Sequence, residues 1–271
     1  MSGNSERAGR PGRDLGGGVL MPVLGLGVWQ LADGREAEQA VEWALEAGYR
    51  HVDTATMYRN ERSVGAAIAR SGLPREELFV TTKWMPLRRS AAAELARSLD
   101  RLGLDYVDLY LIHWPVPLRA AHGWPDLLAL RERGLARAVG VSNYGTDLLG
   151  RLVAEGVPPA VDQVHFSPFH FRRGLLDFCD RNGIVLEAYS PLERGGALDH
   201  PAVVEIASRL GRTPAQVLLR WSVQHGAVVI PRSSRRDRIR SNAQIFDFEL
   251  GEDDMRTLDA LDTTSGTGRA R

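Results

Sequence analysis

Four polar residues fall at thirty-residue intervals along this chain: Asp53, Lys83, His113 and Asn143. Each closes a short, mostly apolar run: His51-Val52-Asp53, Phe79-Val80-Thr81-Thr82-Lys83, Leu109-Tyr110-Leu111-Ile112-His113 and Gly140-Val141-Ser142-Asn143. Thirty residues is the length of one strand, one helix and the two loops that join them. If the strands are parallel and close into a barrel, all four residues gather at one rim, where the strands run out.

Eight apolar runs follow this rhythm, over 24–29, 51–53, 78–82, 107–112, 136–141, 160–163, 184–189 and 227–230. Helical patterns separate them. Ala40, Val41, Ala44 and Leu45 share one face before the stop at Gly48, and further helices are predicted over 61–70, 91–102, 125–133, 146–154, 173–181, 200–210, 214–223 and 235–242. The strand runs are continuously apolar rather than alternating, as in parallel sheets buried on both faces. No compositional break marks a second domain. The fold class is therefore α/β, a single (β/α)8 TIM barrel, rather than an open doubly wound sheet. Gly16-Gly17-Gly18 and Met21-Pro22 frame an N-terminal hairpin that would cap one end, and extra C-terminal helices finish with one over 253–261. Residues 1–14 are polar and Gly-rich, with Arg7, Arg10 and Arg13, and are predicted to be a disordered lead-in to a barrel domain over 15–271.

Composition narrows the function. Of the 271 residues, 34 are Lys or Arg and 34 are Asp or Glu, so no global field recruits nucleic acid or an anionic membrane. No apolar run reaches the roughly 18 residues of a membrane helix, and the N-terminus lacks the apolar centre of a secretory signal. Cys179 is the only cysteine, which suits a reducing compartment, and a cytoplasmic location is expected. The seven histidines form no HxxxH or HExxH pair, so no metal site is expected. Gly25-Leu26-Gly27 lacks the third glycine of a dinucleotide fingerprint, and no Gly-x-Ser-x-Gly surrounds Ser190.

Taken singly, the rim residues have ordinary explanations. Asp53 would cap a helix, Lys83 would be a solvated loop lysine, His113 a core histidine, and Tyr58, five residues past Asp53, a packing residue. Together they point to proton chemistry. A phenol is too weak an acid for ready exchange at neutral pH. An ammonium at about 4 Å contributes roughly 4 kcal/mol toward the phenolate at an effective dielectric near 20, and so is expected to lower its pKa. Asp53 would hold Lys83 charged and in place, and His113 could donate to a substrate oxygen.

A second cluster follows the last strand. Residues 230–240 carry five arginines, Arg232, Arg235, Arg236, Arg238 and Arg240, against one acid, Asp237. Barrels often hold phosphate in the loops after strands seven and eight, and guanidinium forks at a helix start suit a phosphomonoester such as the 2′-phosphate of NADP.

These motifs resemble the aldo-keto reductase superfamily over nearly the whole chain, 24–261. The stretches that carry the likeness are Gly48-Tyr49-Arg50-His51-Val52-Asp53-Thr54-Ala55 with Tyr58, Thr82-Lys83, the run from Asp105 to Pro115, Gly140-Val141-Ser142-Asn143, Tyr189-Ser190-Pro191-Leu192 and Ile230-Pro231-Arg232-Ser233. Within the superfamily the chain is most similar to the bacterial 2,5-diketo-D-gluconate reductase group. The resemblance implies an NADPH-dependent reductase of aldehydes or ketones. Tyr58 would be general acid, tuned by Lys83 and Asp53, and His113 would orient the carbonyl. Ser142, Asn143 and Gln163 would hold the nicotinamide carboxamide, and Tyr189 would stack on its ring. Ser190 and Leu192 would line the pyrophosphate. Arg232, Ser233 and Arg238 would grip the 2′-phosphate, and Asn242 the adenine. Trp29, Trp84 and Trp114, just past strand ends, are candidate walls of an open substrate pocket. The partner would be a small-molecule carbonyl, and the protein a monomer. The alternative is a non-catalytic NADP-binding sensor or partner subunit on the same barrel. The chain departs from its relatives at several positions. Arg232 stands for a common lysine, Ser241 for an acidic residue and Asp162 for an asparagine. Ser167-Pro168-Phe169 replaces His-Pro-Tyr, and Glu193-Arg194-Gly195-Gly196 replaces a smaller Gly-led loop.

Overall fold

The computed structural model describes residues 5–7, 10–87, 89–116 and 123–264. Three short strands, β1 (Ser5–Arg7), β2 (Arg10–Asp14) and β3 (Leu20–Pro22), form an antiparallel sheet. Eight parallel strands follow in unbroken chain order: β4 (Leu26–Gly27), β5 (His51–Asp53), β6 (Phe79–Trp84), β7 (Val107–Ile112), β8 (Ala136–Ser142), β9 (Val161–His165), β10 (Val185–Tyr189) and β11 (Val228–Val229). Leu24 bridges Val229 in parallel, and the amides of Gly25 and Val229 donate to the carbonyls of Val229 and Val23, each at 2.9 Å. The eighth strand thus meets the first, and the (β/α)8 barrel expected from the thirty-residue period is closed.

One helix crosses between successive strands: α1 (Arg35–Glu46), α2 (Glu61–Ser71), α3 (Ala91–Leu102), α4 (Trp124–Glu132), α5 (Thr146–Ala154) and α6 (Arg173–Arg181). Two, α7 (Pro201–Leu210) and α8 (Pro214–Gln224), lie between β10 and β11, and α9 (Arg236–Asn242) and α10 (Glu252–Asp259) follow. Their ends use local chemistry. Ser90 Oγ accepts from the Ala93 amide at the start of α3, and Thr213 and Gln216 form a capping box on α8. The apolar faces of these helices pack on the outside of the strands, with Leu95, Leu102, Leu149 and Trp221 all buried.

The interior is layered. Alternate residues of a strand point inward, so β6 presents Phe79, Thr81 and Lys83 in ascending order. At the bottom Phe79, Leu109, Leu111, Ala138, Val161, Val185 and Val228 pack together with Val19 and Met21. Those last two come from the hairpin, which caps the barrel as expected. Its extent corrects the sequence reading, since Arg10–Asp14, placed in the disordered lead-in, is a strand paired Gly12 to Pro22 and Asp14 to Leu20. Backbone pairing does not need apolar composition, and Gly12 admits Leu20 at a distance no side chain would allow. Residues 1–4 and 8–9 of the predicted lead-in lie outside the described residues.

Candidate active site

Above the apolar floor the inward residues become polar, and they meet at the C-terminal rim. Lys83 is fully buried and donates to Asp53 Oδ1 at 2.5 Å, to the Thr54 carbonyl at 2.9 Å and to the Tyr58 hydroxyl at 3.1 Å. These three bonds use every hydrogen of the ammonium. Tyr58 is delivered by a single 3-10 turn, Thr56–Tyr58, after β5. Its ring meets the His113 imidazole edge-on, with centroids 5.5 Å apart. Asp53, Lys83 and His113, placed by the thirty-residue spacing, and Tyr58, five residues past Asp53, therefore lie together.

Electrostatics at this point departs from the simple Coulomb expectation. Burial is the largest influence on Tyr58 and lifts its pKa; Lys83 offsets only part of this, and the phenol stays above its ordinary value. The ammonium's attraction is smaller than the cost of taking the phenolate out of water. Burial also opposes the Lys83 charge, but Asp53 and Tyr58 outweigh it and the ammonium is held. Burial, then the Lys83 charge, drive His113 down to about 3, so its imidazole is neutral.

Next to this group, Ser142 and Gln163 pair in register, and Ser142 Oγ donates to the Gln163 carbonyl at 2.8 Å. Asn143 adopts a left-handed backbone, φ 64°, which asparagine tolerates. Its side-chain amide donates to Ser142 Oγ and the His113 carbonyl, and its oxygen accepts from the Tyr189 hydroxyl at 2.8 Å.

A cleft of about 660 Å³ runs from Tyr58, His113, Trp29 and Trp114, past Tyr189, Ser190 and Leu192, to Arg232, Ser233, Arg238 and Asn242. Every residue expected to touch cofactor lines it. Arg235 pairs with Asp237 and Arg236 with Glu46, whereas Arg232 and Arg238 have no carboxylate partner among the described residues. Trp84 does not line the cleft. It follows Lys83 on β6, so alternation turns it outward, where its indole nitrogen donates to the Arg89 carbonyl and its ring lies against Gly123.

Some of the site was not read from the sequence. Arg194 lays its guanidinium over the Trp29 ring, 4.8 Å from the centroid, across the cleft. Behind that loop, His165 Nε2 and His170 Nδ1 lie 2.8 and 3.1 Å from Glu193 Oε1, to which Ser167 also donates. The two imidazoles stack at 3.8 Å. Their five-residue separation is too long for a helical i, i+4 pair, but a turn joins the two histidines and brings them together. The other omission is Glu187, fully buried inside β10. A lone acid within Val185-Leu186-Glu187-Ala188 was a visible signal.

The fold and site thus combine a closed parallel barrel, a lysine-held phenol at its rim, and a long groove lined at one end by Arg232 and Arg238. The chain belongs to the Aldo/keto reductase family, whose profile matches residues 23–263. An aldo-keto reductase of Mycobacterium sp. (strain MCS) is 48% identical over 270 residues, covering 96% of this chain and 94% of its own. A glyoxal reductase of Bacillus subtilis (strain 168) is 45% identical, covering 94% of each. A Bombyx mori aldo-keto reductase crystallised in complex with NADP superposes with a TM-score of 0.87 at 34% identity over 93% of each chain. Among the described residues no helix is long and apolar enough to cross a membrane.

Proposed function

We propose that this protein reduces aldehydes or ketones to alcohols with NADPH. The observation that carries the reading is the single ammonium of Lys83 bonded to both Asp53 and the Tyr58 hydroxyl at the wall of the cleft. When bound, NADPH supplies the hydride that reduces the carbonyl carbon. Tyr58 gives its proton to the carbonyl oxygen, and Lys83 stabilises the phenolate left behind. A phenol lifted by burial is fully protonated at neutral pH, which suits the acid's role. Neutral His113, lining the cleft, hydrogen-bonds the oxygen as charge builds on it.

The residues present fit the cofactor. Arg232 and Arg238 offer uncompensated charge where a phosphomonoester would lie, with Ser233 and Asn242 beside them. Ser142, Asn143 and Gln163 offer amide and hydroxyl groups for a carboxamide, Tyr189 an aromatic face, and Ser190 and Leu192 the wall between. The NADP-bound Bombyx mori relative and the glyoxal reductase support the cofactor and a small carbonyl substrate.

The test is NADPH consumption against a panel of aldehydes, dicarbonyls and keto-sugars. Turnover is expected with several of them. Tight NADPH binding with no turnover on any would instead make the protein a cofactor sensor.

A further inference from the structure

Beneath the rim, the carboxyl of Glu187 occupies the barrel interior with no exposure to solvent. It is paired in register with Gln163 on β9 and Val228 on β11. Gln163 Nε2 donates one hydrogen to Asp53 Oδ2 and the other to Glu187 Oε2, both at 2.8 Å. The amide nitrogen is thus clamped between two acids. Reversing it would turn the carbonyl oxygen toward both of them, so the clamp also decides which end of the amide is left for the cleft.

We propose that Glu187 is a positioning residue for the carbonyl reduction: its carboxyl orients the Gln163 amide, and through that amide fixes the Asp53 carboxylate that holds Lys83. The inference rests on the reading of the cleft as an NADPH site. Gln163 lines that cleft, and with its nitrogen committed its oxygen is the end presented to a donor. A carboxamide NH2 is such a donor. Glu187 therefore acts on the cofactor through Gln163 and on Tyr58 through Asp53 and Lys83, touching neither directly.

The groups around Glu187 explain its second effect. Asp53 and His51 face it from β5, Lys83 from β6 and Gln163 from β9, while β11 contributes Val228 in register and Thr81 of β6 meets His51. His51 Nε2 lies 3.5 Å from Glu187 Oε1 and 3.2 Å from Thr81 Oγ1. Burial, with a smaller push from Lys83, holds that imidazole down to about 3, so it brings no charge. Lys83 is already committed to Asp53. No lysine or arginine pairs with Glu187 among the described residues, and burial, then the Asp53 charge, push its carboxyl up to about 8. At neutral pH Glu187 is therefore protonated, and the whole of the Lys83 charge serves Asp53 and Tyr58. Above about pH 8 a second buried anion forms beneath them and opposes the phenolate that Tyr58 must become.

The experiment compares the full-length wild type with Glu187→Met and Glu187→Gln. Methionine matches the volume but releases Gln163, and glutamine keeps an acceptor for it. NADPH binding, read directly by quenching of protein fluorescence, is expected to weaken about tenfold in E187M, the equivalent of one hydrogen bond. It is expected to recover to within about threefold of wild type in E187Q, allowing for imperfect amide geometry. In kcat/KM for NADPH, the wild type is expected to lose activity through about pH 8, and E187Q to lack that limb. Equal NADPH affinity in all three proteins, or alkaline limbs that coincide in wild type and E187Q, overturns the role of Glu187. If E187M does not fold, the pH profile of E187Q alone decides. Binding that follows the expected order with no turnover on any carbonyl would refute the reductase reading and leave the Gln163 clamp standing.

Discussion

At the scale of single residues, the site depends on where charge is tolerated. Tyr58→Phe removes the proton donor without removing ring volume. Turnover is expected to fall by about 10²–10⁴-fold, with NADPH affinity retained; near-normal activity would exclude Tyr58 as the acid. Asp162 gives a second prediction. It is a fully buried residue of β9, where Oδ1 accepts from the Tyr144 amide at 3.3 Å and Oδ2 has no hydrogen-bond partner among the described residues. Burial lifts its carboxyl to about 8. A raised acid binds its proton more tightly folded than unfolded. Its contribution to stability is complete below about pH 4 and is lost as pH rises toward 8. Asp162→Asn, the residue its relatives commonly carry, is expected to raise the melting temperature at pH 8 by on the order of 5 °C. The gain should shrink to nothing near pH 4. An equal gain at both pH values would place the effect elsewhere. These residues also mark what a sequence can convey. Spacing located Asp53, Lys83, His113 and Asn143, because strand length and helix length fix it, and Tyr58 follows Asp53 by a single turn. It did not convey the balance between burial and Coulomb attraction at Tyr58, since that depends on how much water the surrounding strands exclude.

At the scale of elements, the loop after β10 carries the most backbone strain beside the cleft. Ser190, Glu193 and Arg194 all have left-handed φ, 51°, 48° and 55°, in positions where glycine would be unstrained. Two sets of contacts hold the loop there: His165, Ser167 and His170 on Glu193 from behind, and Trp29 under Arg194 across the cleft. Arg194→Ala is expected to speed NADP release several-fold in stopped-flow chase, with little change in the chemical step, because a partly desolvated cation–π contact contributes about 1 kcal/mol. Unchanged release would show that the loop needs no strap. On the other side of the cleft, Arg238→Ala is expected to weaken NADPH by about tenfold or more and leave NADH nearly unaffected, since only NADPH carries the extra phosphate. Equal losses for both would remove Arg238 from the phosphate site. None of the loop's bracing was legible beforehand, because it joins β9 to the loop after β10 through side chains whose meeting depends on strand stagger. Trp84 failed for a simpler reason. Its strand runs one residue beyond Lys83, and the pleat sends consecutive side chains to opposite faces.

At the scale of the whole molecule, the barrel's plan was readable because its repeat is nearly regular and its strands are continuously apolar. The hairpin floor was only half readable, since β2 is polar and earns its place through backbone pairing. The seam between first and last strands was invisible to pattern alone. β4 and β11 span two residues each, and the bridge between their segments rests on the amides of Gly25, Gly27 and Val229. Gly27 is required there, because a Cβ would sit 2.7 Å from the Ile230 carbonyl oxygen. Gly27 and Trp29 on the first strand's side of the seam, and Ile230, Pro231, Arg232 and Ser233 on the last strand's side, all line the cleft.

Any dinucleotide seated in that groove would lie across the thinnest join of the cylinder and touch both banks. Loading would then act as a clasp on the hoop, slowing amide exchange at Gly25, Gly27 and Val229 more than in the thicker wall formed by β6 and β7. Uniform slowing around the circumference would show that occupancy tightens the cylinder without regard to where its ends are joined.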